Sequence, residues 1–193
     1  GAYYLPKNLT IKGMVDGVVV TNSPAINATN VTIDNVDFIS NDRSLVFHTY
    51  GDSVIKNCDL IAPNGTYYST VNSGTLRVEN CAVKGSATYG LMVGEGGGAI
   101  AIKNSTLQGW NSFGCPGGAP IEDSVFIDGA TYSVLSIGSD ITFTNTAFGA
   151  DYVIYNHANG FVAEFTDCSV NGDSPVDVIK AMLDAETIEG AED

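Results

Sequence analysis

Basic residues are scarce in this sequence of 193 residues, which has 8 lysines and arginines against 22 aspartates and glutamates. The resulting net charge of −14 would repel a phosphate backbone and an anionic membrane surface, so nucleic acid is excluded as a partner class. The sequence also lacks any run approaching the roughly 20 apolar residues of a transmembrane helix, and no membrane insertion is expected. Its four cysteines form no Cys-x-x-Cys pair, which argues against a zinc site.

What the sequence does contain is a repeat. In each copy, alternating apolar residues lead to an Asn, Asp or Gly, here called the pivot, and the alternation resumes out of phase after it. Successive pivots are 22, 22, 23, 24, 19, 22 and 22 residues apart, at Gly13, Asn35, Asn57, Asn80, Asn104, Asp123, Asn145 and Asp167. A near-constant period of this length is typical of a solenoid.

The pivot predicts a sharp corner between two strands. Inward positions in a straight strand are two residues apart, but across the pivot the step between apolar positions is three, so the chain must bend there. Asn, Asp and Gly tolerate the left-handed backbone that such a corner needs. A third strand per period is predicted at Val18–Val20, Leu45–His48, Tyr68–Val71, Leu91–Val93, Val134–Ile137 and Val153–Tyr155. Because so short a period cannot hold a helical crossover as well, the pattern predicts a parallel β-helix of about eight rungs.

The residue before each pivot gives an independent indication of register. Read along the chain, this column alternates in charge over six periods before ending in two threonines: Lys12, Asp34, Lys56, Glu79, Lys103, Glu122, Thr144 and Thr166. If the coils stack in register, each charge faces opposite charges above and below it. The alternation therefore favours in-register stacking over a slipped arrangement.

Three segments, Lys7–Gly13, Val31–Phe38 and Leu76–Val83, resemble the repeats of pectate-lyase-like β-helices in large secreted or surface proteins of gut bacteria. The resemblance spans about residues 5–171. It implies an all-β, right-handed, single-stranded parallel β-helix over residues 1–172, and an extracellular or cell-surface location in a bacterium. Residues 173–193 predict a short capping helix, opened by Ser174 and Pro175, and an acidic tail of the same domain.

Aromatic residues supply the first candidate site. Tyr67, Tyr89, Phe113, Tyr132 and Tyr155 fall nine or ten residues after their pivots and predict an aromatic column on one side of the solenoid. The only tryptophan, Trp110, lies in Gly109–Gly118, which looks like the longest irregular insertion. Binding residues commonly lie on loops carried by a rigid scaffold, so a sugar-stacking surface is predicted at Trp110, Phe113, Tyr67, Tyr89 and Tyr132. The alternative is that these stacked aromatic residues only support the sheet and bind no ligand.

Acidic residues supply the second candidate. Asp37 and Asp59 follow successive pivots by two residues, so both are expected to point outward about 5 Å apart. This separation suits a calcium site or the carboxylate pair of a retaining glycosidase, and two solvated carboxylates are the alternative. No cofactor is expected, with calcium as the exception to test.

Cysteine and histidine indicate no further site. Cys58, Cys81 and Cys168 directly follow their pivots and are expected to be free, inward-pointing thiols. His48 and His157 are separated by about five coils, or roughly 24 Å, and cannot share one metal.

Two functions remain after these exclusions. The first is a non-catalytic module, scaffold-like or adhesin-like, which contacts a glycan or another surface protein and has no catalytic residues. The alternative, implied by the resemblance, is a polysaccharide lyase or glycoside hydrolase. Lyases of this fold pair calcium-binding acids with a catalytic Arg or Lys, and the arginines here are Arg43 and Arg77. The first rung has no evident cap, which also predicts self-association through that end.

Overall fold

In the computed structural model the chain forms a parallel β-solenoid. The described residues are 3–22, 24–41, 44–62, 67–85, 89–94, 96–114, 119–156 and 160–172. Three sheets, A, B and C, contain eight parallel strands each, and the chain passes through them in that order in every coil. No helix occurs in these ranges, so the all-β β-helix prediction is confirmed. The predicted capping helix in 173–193 lies outside the described residues.

The strands are short and are numbered in chain order. Sheet A contains β1 (Tyr3–Tyr4), β4 (Ala25–Thr29), β7 (Leu45–Tyr50), β10 (Tyr67–Val71), β13 (Tyr89–Gly94), β16 (Trp110–Phe113), β19 (Val134–Ile137) and β22 (Val153–Asn156). Sheet B contains β2 (Thr10–Lys12), β5 (Thr32–Asp34), β8 (Ser53–Lys56), β11 (Thr75–Glu79), β14 (Ala99–Lys103), β17 (Ala119–Glu122), β20 (Ile141–Thr144) and β23 (Ala163–Thr166). Sheet C contains β3 (Val19–Thr21), β6 (Asp37–Ile39), β9 (Asp59–Ala62), β12 (Ala82–Gly85), β15 (Thr106–Gln108), β18 (Val125–Ile127), β21 (Ala147–Phe148) and β24 (Ser169–Val170).

The pivot corner between sheets B and C has the backbone that the sequence predicts. Seven of the eight pivots, from Asn35 to Asp167, have φ between 47° and 59°. The residue after each of these seven is buried, as the inward direction requires: Val36, Cys58, Cys81, Ser105, Ser124, Thr146 and Cys168. The predicted free thiols at three of these positions are confirmed in the core.

The first coil departs from this pattern. Gly13 has no positive φ, and the chain takes a longer path to sheet C, so Met14 is exposed rather than inward. Val20 pairs with Phe38, which lies three residues after its pivot Asn35. In the first coil this position is reached only seven residues after Gly13. The predicted third-side strand at Val18–Val20 is therefore wrong, because this segment forms β3 of sheet C. A side chain at Gly13 would collide with the Asn35 carbonyl, which explains why glycine stands there.

Sheet A was the harder sheet to predict. The five later third-side strands are confirmed as β7, β10, β13, β19 and β22, while β4 was not foreseen. The predicted irregular insertion at Gly109–Gly118 is wrong in its first half, because Trp110–Phe113 forms β16 between β13 and β19. Backbone pairing with two flanking strands, rather than local propensity, makes this segment a strand.

Side chains at the pivot corner form an amide ladder. Asn57 Nδ2 donates to Asp34 Oδ1 at 2.7 Å, Asn80 Nδ2 to Asn57 Oδ1 at 2.7 Å, and Asn104 Nδ2 to Asn80 Oδ1 at 3.0 Å. Asn57 and Asn80 thus each donate to the previous coil and accept from the next. Asp123 has no hydrogen to donate, so it ends this run, and Asn145 Nδ2 starts another by donating to Asp123 Oδ1 at 2.9 Å.

Beside the ladder, the column of alternating charge stacks in the predicted register. Lys12, Asp34, Lys56, Glu79, Lys103, Glu122, Thr144 and Thr166 are paired in consecutive strands of sheet B. Asp34 lies 3.7 Å from Lys12 Nζ and 3.9 Å from Lys56 Nζ, and Lys103 Nζ lies 3.0 Å from Glu122. Each exposed pair contributes little alone, but a register slip of one residue would lose the whole set.

Candidate functional site

In the coil between Asn104 and Asp123, which is the shortest, a single residue connects sheet C to sheet A. Gly109 alone joins β15 to β16, with φ of 83°, a conformation that favours glycine. In the next coil, six residues separate β18 from β19. The 19-residue spacing between Asn104 and Asp123 therefore arises from the one-residue connection at this corner, and Trp110 follows directly after it.

Trp110 and Tyr132 form an aromatic pair on this corner. In β16, Trp110 and Ser112 are half-buried while Asn111 and Phe113 are fully buried, so the tryptophan points away from the core. The Tyr132 ring meets Trp110 edge to face, with ring centroids 5.3 Å apart and an interplanar angle of 68°. Tyr132 remains 36% exposed, so the pair offers apolar ring surface to solvent.

A buried polar network lies directly beneath Trp110. Asn111 and Tyr152 are both fully buried. Asn111 Nδ2 donates to the Tyr152 hydroxyl at 2.7 Å, and that hydroxyl donates to the Gly109 carbonyl at 2.8 Å. Both neighbours of Trp110 in the chain are thus held from inside, and Tyr152 reaches them from two coils away.

The same network fixes the preceding coil. Asn111 Oδ1 accepts a hydrogen bond from Leu91 N at 2.7 Å, at the point where the register of β13 and β16 shifts between Tyr89 and Met92. A Cβ on Gly90 would lie 2.3 Å from the Gln108 carbonyl and 2.5 Å from Asn111 Oδ1, so only glycine fits there. The register shift in β13 therefore allows Leu91 N to donate to the Asn111 side chain instead of to the backbone of β16.

The Tyr152 phenol keeps its proton in this setting. Burial, the largest influence, raises the pKa of Tyr152 well above its ordinary value of 10.0, against the opposing effect of the Asn111 hydrogen bond. Its ring packs on Phe126 and Phe148, at centroid distances of 5.5 Å and 6.0 Å. The hydroxyl is consequently a fixed donor, and the Trp110–Tyr132 pair rests on a rigid base.

Backbone register does not align the other predicted aromatic residues into one column. Phe113 is 1% exposed and belongs to the core. By backbone register Tyr67 pairs with Leu45 and Leu91, Tyr89 pairs with Trp110, and Tyr155 pairs with Ser136. The predicted continuous column is therefore wrong, because four of the five residues occupy different register positions in sheet A and Tyr132 lies in the loop before β19. Trp110, Tyr132 and the backbone of Tyr89 are the members that the structure brings together.

At the second predicted site, the Asp37 carboxylate already accepts a hydrogen bond from the backbone of the next coil. Its Oδ1 accepts a hydrogen bond from Asp59 N at 2.8 Å, so this carboxylate closes the gap between adjacent coils. Within the described ranges, no group of three or more His, Cys, Asp or Glu side chains could hold a metal ion. His48 lies half-buried in β7, and His157 lies outside the described residues. Calcium at Asp37 and Asp59 stays a prediction.

A shallow depression of about 180 Å³ on sheet B is lined by Arg77, Glu79, Lys103 and Glu122, among others. Lys103 is already engaged, at 3.0 Å from Glu122 and 3.8 Å from Asp123. Its hydrogen bond to Glu122, followed by the charges of Glu122 and Asp123, raises the pKa of Lys103 above 10.5. Because its amine is paired within the protein, this depression is a weaker candidate than the aromatic corner.

Sequence analysis missed Asn111 and Tyr152, although they position the candidate site. They are 41 residues apart, so no local pattern links them. The sequence offered no signal for Asn111, because its inward direction follows from β16, which no local pattern indicates. Once β16 is known, a polar residue at a buried position requires buried partners, and Tyr152 supplies one.

Searches of protein-family models, of curated proteins and of solved structures found no match to this chain. No helix in the described ranges has the length and apolar character that crossing a membrane demands.

Proposed function

We propose that this chain is a non-catalytic β-helix module of a secreted or surface protein of a bacterium, and that it binds a neutral glycan at the Trp110–Tyr132 corner. The observation that carries this proposal is the aromatic pair, held from beneath by the Asn111–Tyr152 network. The solenoid itself acts as the scaffold that displays the corner.

The chemistry of the corner favours a saccharide. Apolar C–H faces of sugar rings pack on aromatic rings, and the half-buried Trp110 beside the 36% exposed Tyr132 presents such surface. Because the side chains are already fixed, little side-chain entropy is lost on binding. The net charge of −14 disfavours an anionic ligand, so a neutral glycan fits better than a uronate polymer.

A carbohydrate-active enzyme is the second candidate, and one observation favours it. Asp128 begins the loop that carries Tyr132, and its Oδ1 accepts a hydrogen bond at 3.3 Å from the backbone N of Asp151 on the adjoining coil. Asp128 and Asp151 are thus neighbours at the loop that carries Tyr132, and glycosidases act through a pair of carboxylic acids beside the bound sugar. Asp128 already serves the backbone, which makes it a weaker candidate for a nucleophile.

A glycan array, probed with and without calcium, separates these candidates when it is paired with hydrolysis and lyase assays on the bound glycans. We expect binding without turnover and without a calcium requirement. Tyr132→Ala should abolish binding, and Tyr50→Ala, which removes a tyrosine of similar exposure in β7, should leave it unchanged. Turnover that Asp128→Asn abolishes would replace the first candidate with the second. Absence of binding to neutral glycans would overturn the first candidate, and absence of both binding and turnover on every glycan of the array, uronate polymers included, would overturn both.

A further inference from the structure

The outer face of sheet B carries two columns of side chains. One is the charge column described above. The second column lies two residues earlier on each strand, because alternate residues of a strand point to the same face. Its members are mostly small or apolar: Thr10, Thr32, Val54, Arg77, Ala101, Pro120, Thr142 and Glu164.

Two opposite charges on β11 are left unpaired on this face. Arg77 is exposed and Glu79 is half-buried. Within the described part of the chain neither side chain takes part in an ion pair, although Lys56 and Lys103 flank Glu79 on the neighbouring strands. Both lysines instead pair with acids on the side away from β11. The charges of β11 therefore remain available to a binding partner.

The depression of about 180 Å³ on sheet B lies beside these charges. Ala101 lies at its centre in the register, between Arg77 on one neighbouring strand and Pro120 on the other. Glu79 and Glu122 also line it. A recess with carboxylates in its lining suits a guanidinium group, whose hydrogen bonds to carboxylates are among the strongest in proteins.

We propose that this face binds a second copy of the chain. The two solenoids are antiparallel, and their two-fold axis runs between β11 and β14, parallel to the strands. Each β11 then lies across from β14 of the partner subunit. Because Arg77 and Ala101 are register partners in these strands, each Arg77 enters the depression over Ala101 of the partner subunit. The contact is isologous and closes as a dimer.

The charge column fits the same axis. Glu79 is the register partner of Lys103, so it lies across from Lys103 of the partner subunit. One strand further out, Lys56 lies across from Glu122 of the partner subunit. The two Arg77 side chains pass each other beside the axis, and each is compensated by the carboxylates that line the partner's depression. An axis through β11 itself would instead set Glu79 on Glu79 of the partner subunit.

Other symmetric arrangements match this face less well. An antiparallel axis between β8 and β11 keeps opposite charges together but sets Arg77 on Val54 instead of the depression. A parallel packing about the charge column sets every charge on its own copy. A parallel packing centred between the two columns sets Lys56 on Val54 and Lys103 on Ala101, so that lysines face apolar side chains. The proposed axis alone satisfies both the depression and the charges.

The size of the face sets the strength of the dimer. Sheet B has eight strands, and at about 4.8 Å per strand and about four residues of 3.3 Å each they form a face of roughly 500 Å². Two such faces bury about 1,000 Å², at the low end for a specific interface, so a micromolar Kd is expected. The Trp110–Tyr132 corner joins the other two sheets and stays outside this contact, so the proposal is independent of glycan binding.

Sedimentation and light scattering on the 193-residue chain test the proposal. At about 100 μM, well above a micromolar Kd, we expect a species of twice the 20.2 kDa mass of one chain. Ala101→Tyr fills the depression and should weaken dimerisation about tenfold or more. Ala82→Tyr is the matched control, because Ala82 is also a half-buried, outward alanine but belongs to sheet C. It should leave the dimer intact, and circular dichroism should show the same β-sheet content for both variants.

The charge at Arg77 is tested in the same way. Arg77→Glu places a carboxylate among those of the partner's depression and should weaken dimerisation about tenfold or more. Lys84→Glu is its control, because it makes the same charge reversal at an exposed position in sheet C. A wild-type monomer at about 100 μM would overturn the proposal, and so would a dimer that persists in Ala101→Tyr or Arg77→Glu.

Cross-linking tests the antiparallel orientation. Thr32 lies across from Thr142 of the partner subunit, whereas identical positions of the two copies are about five strands, or roughly 24 Å, apart. Oxidation should therefore cross-link a mixture of Thr32→Cys and Thr142→Cys chains, but neither variant alone, with the wild type as background. Cross-linking within Thr32→Cys alone, or none in the mixture, would contradict this arrangement.

Discussion

The pivot corner and the corner between sheets C and A turn the same chain by different means. The pivot corner repeats one solution: a left-handed Asn or Asp, with an exposed amide ladder and a charge column beside it. The C-to-A corner at Gly109 uses a solution found once among the described residues, a single glycine tied to a buried Asn and Tyr. A repeated corner spreads its stability over many equivalent residues, whereas a unique corner depends on a few. The unique corner is also where an aromatic pair is displayed.

The largest effect is expected at the unique corner. Tyr152→Ala removes a fully buried ring and the hydroxyl that holds Asn111 and Gly109, so the free energy of unfolding should fall by about 3–5 kcal/mol. Tyr152→Phe keeps the ring but leaves Asn111 and Gly109 without their partner, at a cost of about 1–3 kcal/mol. Urea unfolding measures both values. A Tyr152→Phe variant as stable as the wild type would show that the network does not hold this corner.

The next largest effect is expected at the pivot corner, where two substitutions separate the ladder hydrogen bonds from the cost of the left-handed backbone. Asn80→Ala loses both ladder bonds and places alanine at φ of 53°, so it should destabilise by about 2–3 kcal/mol. Asn80→Gly loses the same bonds but accepts that backbone, and about 1 kcal/mol is expected. Unfolding curves of the two variants give the difference. Equal losses would mean that the left-handed backbone carries no cost here.

A smaller effect, of opposite sign, is expected where the ladder is interrupted. Asp167 follows Asn145 in the pivot column but has no hydrogen to donate to the previous coil. Asp167→Asn supplies one, and thermal unfolding should show stabilisation of about 0.5–1 kcal/mol. Asp123→Asn should gain less, because it gives up the contact with Lys103 at 3.8 Å. If neither substitution stabilises the protein, the ladder contributes little beyond backbone geometry.

The smallest effect is a pH dependence at the first carboxylate of the charge column. The hydrogen bond from Asn57, aided by Lys56 and Lys12, holds the pKa of Asp34 below its ordinary value of 3.8. A lowered pKa in the folded state stabilises above pH 3.8 and loses that contribution as the pH falls toward the folded value. The difference in Tm between wild type and Asp34→Asn should therefore shrink below pH 3.8. A constant difference across this range would contradict the assignment.

The two corners also differ in how far the sequence predicts them. The pivot corner is local: residue type, alternation and charge within a few positions gave its backbone, its buried neighbours and its register. At Gly13 the prediction failed, because the extra residues before β3 leave no local mark. Local information was therefore sufficient at the seven pivots from Asn35 to Asp167 and insufficient in the first coil, although the spacing from Gly13 to Asn35 is also 22 residues.

At the C-to-A corner the decisive contacts are not local. Gly109–Gly118 lacks alternation and was predicted to be irregular, but pairing with β13 and β19 makes Trp110–Phe113 a strand. Trp110 and Tyr132 could be singled out as aromatic residues, yet their contact required the register of successive coils. Phe113 was assigned to a surface because its inward direction follows from β16, which the sequence did not reveal.

The most direct test of the binding proposal uses the only tryptophan as its own probe. Trp110 emission is followed while the whole chain is titrated with neutral oligosaccharides that bind on the array. We predict a saturable change in emission for the wild type and for Tyr50→Ala, and none for Tyr132→Ala. Oligosaccharide binding that leaves Trp110 emission unchanged, or that survives Tyr132→Ala, would contradict a binding site at this corner.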